Sequence, residues 1–199
     1  KQVEEKLKKD MMTIPNITLL APKNKWEFSD MIKFAIASGH PAAIRYPRGE
    51  AFDGLKDFRA PIQYGKSETL YEEGDVVLLA YSSMVKTALE VRERLKQAGV
   101  VCGLVNLRFA KPLDTQMLSQ IAKSYQLAVT MEENIETGGL GEAVCAYLRE
   151  AALDLPVIQV AIKNQFLPHG NVEILKREAG LDVESITKRI LRSRTVIRK

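Results

Sequence analysis

Residues 76–81, Val-Val-Leu-Leu-Ala-Tyr, are the clearest indication of the fold class of this chain. A continuous apolar run of this length is typical of a parallel strand that is covered on both faces of its sheet. Ser82 and Ser83 follow, and they are predicted to cap a helix that runs to about Gln97. Gly99 comes soon after that segment, where glycine commonly ends a helix. The stretch therefore predicts a buried strand followed by a helix.

Apolar runs of strand length alternate with longer amphipathic segments along most of the chain. Strands are predicted at 17–21, 42–46, 102–107, 127–131 and 157–162, with an extended or edge segment at 62–71. Helices are predicted at 25–38, 114–125 and 141–152, followed by two short helices near the carboxyl end. This alternation predicts a mostly parallel α/β sheet flanked by helices.

The predicted elements fall into two series of unequal size. Residues 13–50 hold two strands and one helix, too few for a domain, and are interpreted as the end of a domain. Residues 51–61 contain helix- and strand-breaking residues and are predicted to be a linker. Residues 62–194 have enough elements to form a domain, whereas residues 1–12 are an unassigned charged segment.

Composition and charge narrow the class of function. The chain has 29 basic and 25 acidic residues, and its basic excess lies near the two ends. No basic stripe is interleaved with aromatic residues, so nucleic-acid binding is not expected. No apolar run approaches the roughly 20 residues of a membrane span, and a cytoplasmic protein without a membrane partner is expected. Cys102 and Cys145 lie far apart in apolar surroundings, which predicts two buried free thiols.

No self-contained catalytic centre is visible in the sequence. Glycine-rich nucleotide loops and the nucleophile motif of α/β hydrolases are missing. His40 and His169 are the only histidines, so no histidine pair has metal-ligand spacing. His169 has no identifiable partner and is interpreted as a loop or interface residue. Neither a metal site nor a catalytic residue is assigned.

Residues 44–49, Ile-Arg-Tyr-Pro-Arg-Gly, are the most informative polar segment. A predicted strand ends there in two arginines, and ligands of open α/β sheets bind beyond the carboxyl ends of strands. An arginine can hold a phosphate group through two parallel hydrogen bonds. Arg45 and Arg48 are therefore candidate phosphate ligands, and a structural ion pair at a domain edge is the alternative.

Two further segments combine charge with a predicted turn. The carboxylates of 131–134, Met-Glu-Glu-Asn, are expected to accept hydrogen bonds from amides of the glycine-rich loop at 137–141 or to pair with a neighbouring subunit. The loop glycines favour a close approach of backbone over a phosphate site. Asp114 is predicted to cap the next helix. Arg108 and Lys111 fit either a turn in contact with another domain or a ligand site.

These segments, in this order, resemble the 1-deoxy-D-xylulose-5-phosphate synthases, a transketolase-like family that depends on thiamine diphosphate. The similarity covers about residues 14–192. It rests on the segments 14–22, 41–49, 64–66, 106–114, 132–141 and 166–170. The Arg-Tyr-Pro-Arg-Gly and Arg-Phe-x-Lys-Pro-Leu-Asp motifs are its most specific parts. Residues 1–12 do not match, and residues 162–165 depart from the family's usual Leu-Pro-Asp.

The resemblance implies a three-domain enzyme of which this chain holds the last part. In the family, the first domain binds the diphosphate and Mg²⁺ of thiamine diphosphate, and the second binds its pyrimidine. The third is a transketolase carboxyl-terminal domain that supports a homodimer. The diphosphate motif and the activating glutamate are not found in this sequence. Neither thiamine diphosphate nor Mg²⁺ is therefore expected to bind this chain alone.

The resemblance also implies a reaction. The family joins pyruvate, after decarboxylation, to glyceraldehyde 3-phosphate for isoprenoid, thiamine and pyridoxal synthesis. The resemblance implies that Arg48 or, alternatively, Arg45 binds the phosphate of glyceraldehyde 3-phosphate. The isolated chain is expected to be inactive. Without the rest of the second domain, apolar surface that includes the helix at 28–36 would be uncovered, so residues 1–50 are expected to self-associate or to be disordered. Two alternatives are a subunit of a split transketolase-like enzyme and a non-catalytic dimerisation or binding module.

Overall fold

Two sheets organise the chain in a computed structural model that describes residues 11–47, 50–165 and 170–197. The strands are β1 (Thr18–Leu20), β2 (Ala42–Ile44), β3 (Glu68–Gly74), β4 (Val76–Ala80), β5 (Cys102–Asn106), β6 (Phe109–Lys111), β7 (Leu127–Ile135) and β8 (Val157–Ile162). The helices are α1 (Lys25–Ser38), α2 (Met84–Gln97), α3 (Thr115–Ser124), α4 (Leu140–Glu150), α5 (Val172–Glu178) and α6 (Val183–Ile197).

The larger sheet has five strands in the order β3-β5-β4-β7-β8. Its neighbours β5, β4, β7 and β8 are parallel, and β3 pairs antiparallel with β5 at one edge. Every residue of β4 is buried, as its continuous apolar sequence predicts. A mostly parallel α/β sheet flanked by helices is thereby confirmed.

Alternation along β4 divides the core into two layers. Val76 and Leu78 point to one face of the sheet, where they join the buried residues of α2 and α6. Val77 and Leu79 point to the other face, where α3 and α4 supply the apolar partners. Helices therefore cover both faces, and the polar residues that follow the strands collect at the carboxyl ends of β4 and β7.

The smaller sheet has three strands in the order β2-β1-β6. β1 and β2 are parallel, and β6 pairs antiparallel with β1, with Leu20 opposite Phe109. Strand β6 is not predicted from the sequence, because only three residues separate Arg108 from Pro112 and their extended state depends on β1. The pairing joins residues of the two predicted series in one sheet.

The ends of several elements differ from their predicted positions. Strand β2 stops two residues earlier than predicted, where Arg45 leaves the sheet, and β7 continues beyond Met131 to Ile135. Asp114 caps α3 as predicted, and its Oδ1 accepts a hydrogen bond from the Met117 amide at 3.1 Å. The capping predicted for α2 is wrong, because its N-cap residue Ser83 makes no side-chain capping bond.

Helix α1 leaves part of its apolar surface uncovered. Ile32 is 39% exposed and Ile36 is 80% exposed, whereas Glu27 and Met31 are buried. The uncovered surface agrees with the sequence-based expectation that this helix lacks part of its packing. Within the described residues, no helix is both long enough and apolar enough to cross a bilayer.

The two cysteines have different surroundings. Cys102 is buried in β5, and Cys145 on α4 is only partly buried. Both are free, as predicted, but the prediction that both are buried is wrong for Cys145, because its helix meets solvent on one side.

Candidate functional site

The carboxyl ends of β4 and β7 form the crevice in which an open α/β sheet usually binds its ligand. β4 lies between β5 and β7, and the helices that follow β4 and β7 lead to strands on opposite sides. Such a reversal of strand order opens a cleft beyond the strand ends. Tyr81 follows β4 at this point, and Glu132 and Asn134 lie in the last part of β7.

Arg45 enters this crevice from the end of β2. Its Nη1 donates a hydrogen bond to Oδ1 of Asn134 at 2.7 Å, and its Nη2 donates to the backbone oxygen of Glu133 at 3.3 Å. The Arg45 amide also donates to the backbone oxygen of Leu20 at 2.9 Å. Of the two predicted phosphate ligands, Arg45 is thus engaged within the chain, and Arg48 lies outside the described residues.

Glu132 organises the other side of the crevice. Its Oε1 accepts a hydrogen bond from the Gly141 amide at 2.8 Å, and its Oε2 accepts one from Nδ2 of Asn134 at 2.7 Å. These contacts confirm that a carboxylate of this motif accepts a hydrogen bond from the amide of a loop glycine. Glu133 forms an ion pair with Lys176 at 2.9 Å.

The glycines of this loop have a steric role. A Cβ at Gly139 would lie 2.6 Å from Oε1 of Glu132 and 2.8 Å from the backbone oxygen of Ile135. A Cβ at Gly141 would lie 2.6 Å from Oγ1 of Thr130. The loop therefore approaches β7 so closely that side chains are excluded, as the interpretation of structural glycines predicts.

Tyr81 is held neutral in the crevice. Burial raises the pKa of its hydroxyl, the nearby Arg45 opposes that rise, and the nearby Glu132 adds to it. Tyr81 is 1% exposed. The side chain therefore remains protonated at physiological pH.

A second polar cluster is buried between the two sheets, and it was not anticipated from the sequence. Its members are Lys23, Glu27, Glu68, Asn106 and Arg108, none of them more than 5% exposed. Nζ of Lys23 lies 2.9 Å from Glu27 and 2.5 Å from Glu68. Arg108 lies 2.7 Å from Glu27 and 3.0 Å from Glu68. Two cations and two carboxylates therefore balance in this cluster.

The cluster binds three parts of the chain together. Arg108 also donates to the backbone oxygens of Ala60 and Pro61 in the predicted linker, at 2.9 and 3.3 Å. Lys111 donates to the backbone oxygens of Met12 and Ile14 at 2.9 and 2.7 Å. Both basic residues are therefore engaged in contacts within the chain, as the domain-contact interpretation of this turn predicts.

Glu27 carries its charge inside this cluster. Burial by itself would raise the pKa of Glu27, but the charges of Lys23 and Arg108 and the hydrogen bonds from Lys23 hold it below the ordinary value. The amide nitrogen of Lys23 also donates to Oε2 of Glu27 at 2.7 Å. Lys23 and Glu27 are four residues apart at the start of a helix, which is also the spacing of an ordinary surface ion pair. Only their burial distinguishes them from such a pair.

The two histidines of the chain differ in what the structure describes. His40 lies near the ring of Tyr64, with 6.2 Å between ring centroids, and His169 is outside the described ranges. No group of three or more histidine, cysteine or carboxylate side chains suited to a metal ion occurs among residues 11–47, 50–165 and 170–197.

The fold and the matched residues define the class of this chain. Residues 65–186 match the family model described as transketolase, C-terminal domain, and the chain belongs to that family. Among curated proteins, the 1-deoxy-D-xylulose-5-phosphate synthase of Lachnoclostridium phytofermentans is 45% identical over 182 residues. The synthase of Clostridium tetani is 37% identical over 179 residues. These matches cover 91% and 90% of this chain but only 29% of each relative.

Solved structures agree with the fold. A protein described as a split gene transketolase, inactive beta4 tetramer, superposes with a TM-score of 0.83 and 26% identity. That match covers 92% of this chain and 59% of the other. A transketolase of Pichia stipitis superposes with a TM-score of 0.67 at 19% identity and supports the fold alone.

Proposed function

We propose that this chain supplies the carboxyl-terminal part of a 1-deoxy-D-xylulose-5-phosphate synthase. That enzyme joins pyruvate, with loss of carbon dioxide, to glyceraldehyde 3-phosphate. The main support is 45% identity over 91% of the chain to a protein of that name. In this proposal, residues 13–50 end the pyrimidine-binding domain, residues 51–61 link the domains, and residues 62–194 form the transketolase C-terminal domain. The complete enzyme is a homodimer.

The task of this part is to help bind the phosphate of the acceptor. The crevice that would otherwise take a ligand is filled by the chain's own Arg45, Glu132 and Asn134. Arg45 donates two hydrogen bonds inside the protein, so it serves as an anchor for the segment that leaves β2. Arg48, three residues further along, is then the proposed ligand of the acceptor phosphate.

Thiamine diphosphate and Mg²⁺ belong to the parts of the enzyme that this chain does not span. The residues of the crevice do not fit them, because Glu132 accepts hydrogen bonds from Gly141 and Asn134, and Glu133 pairs with Lys176. A hard cation would have to displace these partners. We therefore assign no step of cofactor chemistry to this chain.

The first test is calorimetric titration of thiamine diphosphate with Mg²⁺ into the purified chain, followed by glyceraldehyde 3-phosphate. We expect no cofactor binding and no turnover.

The second test mixes the chain with a polypeptide that carries the remaining part of the Lachnoclostridium relative and measures synthase product. Arg48→Ala should then raise the KM for glyceraldehyde 3-phosphate with little change in that for pyruvate. Synthase turnover by the chain alone, or none in the mixture, would refute the proposal.

A subunit of a split transketolase-like enzyme is the second candidate. Its support is the match to a protein described as a split gene transketolase, which covers 92% of this chain. Ile32 and Ile36 on α1 provide exposed apolar surface for association. Sedimentation and transketolase assays with and without a complementing subunit separate the candidates, because only a split transketolase would accept a ketose phosphate donor in place of pyruvate.

A further inference from the structure

The carboxamide of Asn134 is fixed in one orientation. Asn134 is 5% exposed, its Nδ2 donates to Oε2 of Glu132 at 2.7 Å, and its Oδ1 accepts from Nη1 of Arg45 at 2.7 Å. One end of a carboxamide only donates and the other only accepts. Because the Glu132 carboxylate can only accept, it turns the oxygen of Asn134 towards Arg45.

Glu132 is itself held by the start of α4. Its Oε1 accepts from the Gly141 amide at 2.8 Å, and the residue is 1% exposed. A Cβ on Gly139 would come within 2.6 Å of the same oxygen, so the glycine leaves room for the carboxylate. A continuous series of hydrogen bonds therefore runs from the Gly141 amide through Glu132 and Asn134 to the guanidinium of Arg45.

We propose that Asn134 is a positioning residue for the acceptor site, with Glu132 setting its orientation. Asn134 fixes the side chain of Arg45, while the Leu20 carbonyl fixes the Arg45 amide. Together they determine the direction in which residues 45–47 leave β2. The inference rests on the proposed function, in which the next residue, Arg48, is the proposed ligand of the acceptor phosphate.

Glu132→Gln tests this polarity with almost no change of shape. The introduced glutamine can still accept from the Gly141 amide, but its other end then donates. Asn134 must turn its oxygen towards that group and present its NH₂ to Arg45, where two donors face each other. In Glu132→Gln with Asn134→Asp, the introduced aspartate accepts from both sides, so the series of hydrogen bonds is restored. One carboxylate is lost and one is gained, so the net charge of the double variant equals that of the unmodified chain.

The first readout needs no catalysis. Nuclear magnetic resonance of the full-length chain, without ligand, follows the exchange of the Arg45 guanidinium protons. Loss of a hydrogen bond to a charged group should accelerate this exchange roughly tenfold in Glu132→Gln, and the double variant should return to within about twofold of the unmodified chain. Glu136→Gln is the matched control, because Glu136 makes an exposed ion pair with Lys163 beyond the crevice.

The second readout uses the enzyme assembled with the complementing polypeptide. Glu132→Gln should raise the KM for glyceraldehyde 3-phosphate roughly tenfold, leave kcat and the pyruvate KM unchanged, and be rescued by Asn134→Asp. Failure of the rescue, or a fall in thermal stability without a change in KM or in Arg45 exchange, would overturn the inference. If the assembled unmodified enzyme has no synthase activity, the proposed function fails instead, which the exchange data on Arg45 distinguish.

Discussion

Replacing Arg108 with alanine should remove the central cation of the buried cluster between the two sheets. The guanidinium lies 2.7 Å from Glu27 and 3.0 Å from Glu68, and it also donates to two linker carbonyls. Its loss leaves Lys23 as the only cation of the cluster beside two buried carboxylates. Removing one partner of a buried ion pair costs about 3–5 kcal/mol, since the remaining charge is desolvated and uncompensated.

The expected loss is a large part of the total stability. A native domain is stable by about 5–15 kcal/mol, so a loss of about 3–5 kcal/mol in Arg108→Ala should lower the urea concentration at the unfolding midpoint substantially. Arg108→Lys keeps the charge but not the fork of donors, and a smaller loss is expected from it. Arg59→Ala is the control, because Arg59 pairs with Asp30 at a partly exposed site where an ion pair contributes about 1 kcal/mol or less.

Urea unfolding measures these changes with two independent signals. Trp26 is the only tryptophan of the chain, and it precedes Glu27 in α1. Its fluorescence reports on the part of the chain around β1 and β2, whereas circular dichroism is dominated by the helices of the larger unit. Because the cluster joins both parts, the two transitions should coincide in the unmodified chain. Separate transitions, or an Arg108→Ala loss below about 1 kcal/mol, would refute the reasoning.

Three further predictions concern pH, steric room and thiol reactivity. The pKa of Glu27 is lower in the folded state than its ordinary 4.5, so the ionised side chain stabilises the fold above that pH. This contribution should be lost as pH falls through the folded pKa. In Glu27→Gln, the free energy of unfolding should therefore decline less steeply with falling pH than in the unmodified chain. Gly139→Ala should lower the free energy of unfolding by about 1–3 kcal/mol, whereas Gly170→Ala, with no contact under 3.6 Å, should change it little in the same urea assay. Burial raises the pKa of Cys102 to about 11, so a thiol reagent should modify it in urea but not in the native chain, while the partly buried Cys145 reacts first.

Most of the larger sheet could be predicted from the sequence. The run at 76–81 is continuously apolar and the segment at 157–162 is interrupted only by Gln159, and the structure places β4 and β8 there. Helix α1 begins and ends as predicted, and Ile32 and Ile36 on its apolar face are exposed, as expected for a helix that lacks part of its packing. Glu27 on the same helix is buried, which the sequence does not predict. Periodicity locates a helix, but it does not reveal which charged residue finds partners inside the protein.

The candidate site could be predicted only in pieces. Arg45 and the Glu-Glu-Asn motif were identified separately, and their contact joins residues 89 positions apart. Strand β6 was missed for a related reason, since its extended state depends on pairing with β1 about 90 residues earlier. Lys23, Glu27 and Glu68 carried no pattern in sequence, because ordinary surface charges have the same spacing.

The pairing of β6 with β1 determines where such a gene could be divided. A break within residues 51–61 would look harmless, since that stretch has neither helix nor strand. It would nevertheless separate Leu20 from Phe109, which leaves β1 with an unpaired edge. It would also divide the buried cluster into two ion pairs, Lys23 with Glu27 and Arg108 with Glu68, and break the contacts that join them. When carboxyl-terminal parts are exchanged between related enzymes, the fusion point should therefore lie upstream of β1. The β1–β6 pairing and the buried cluster then come from the same parent protein.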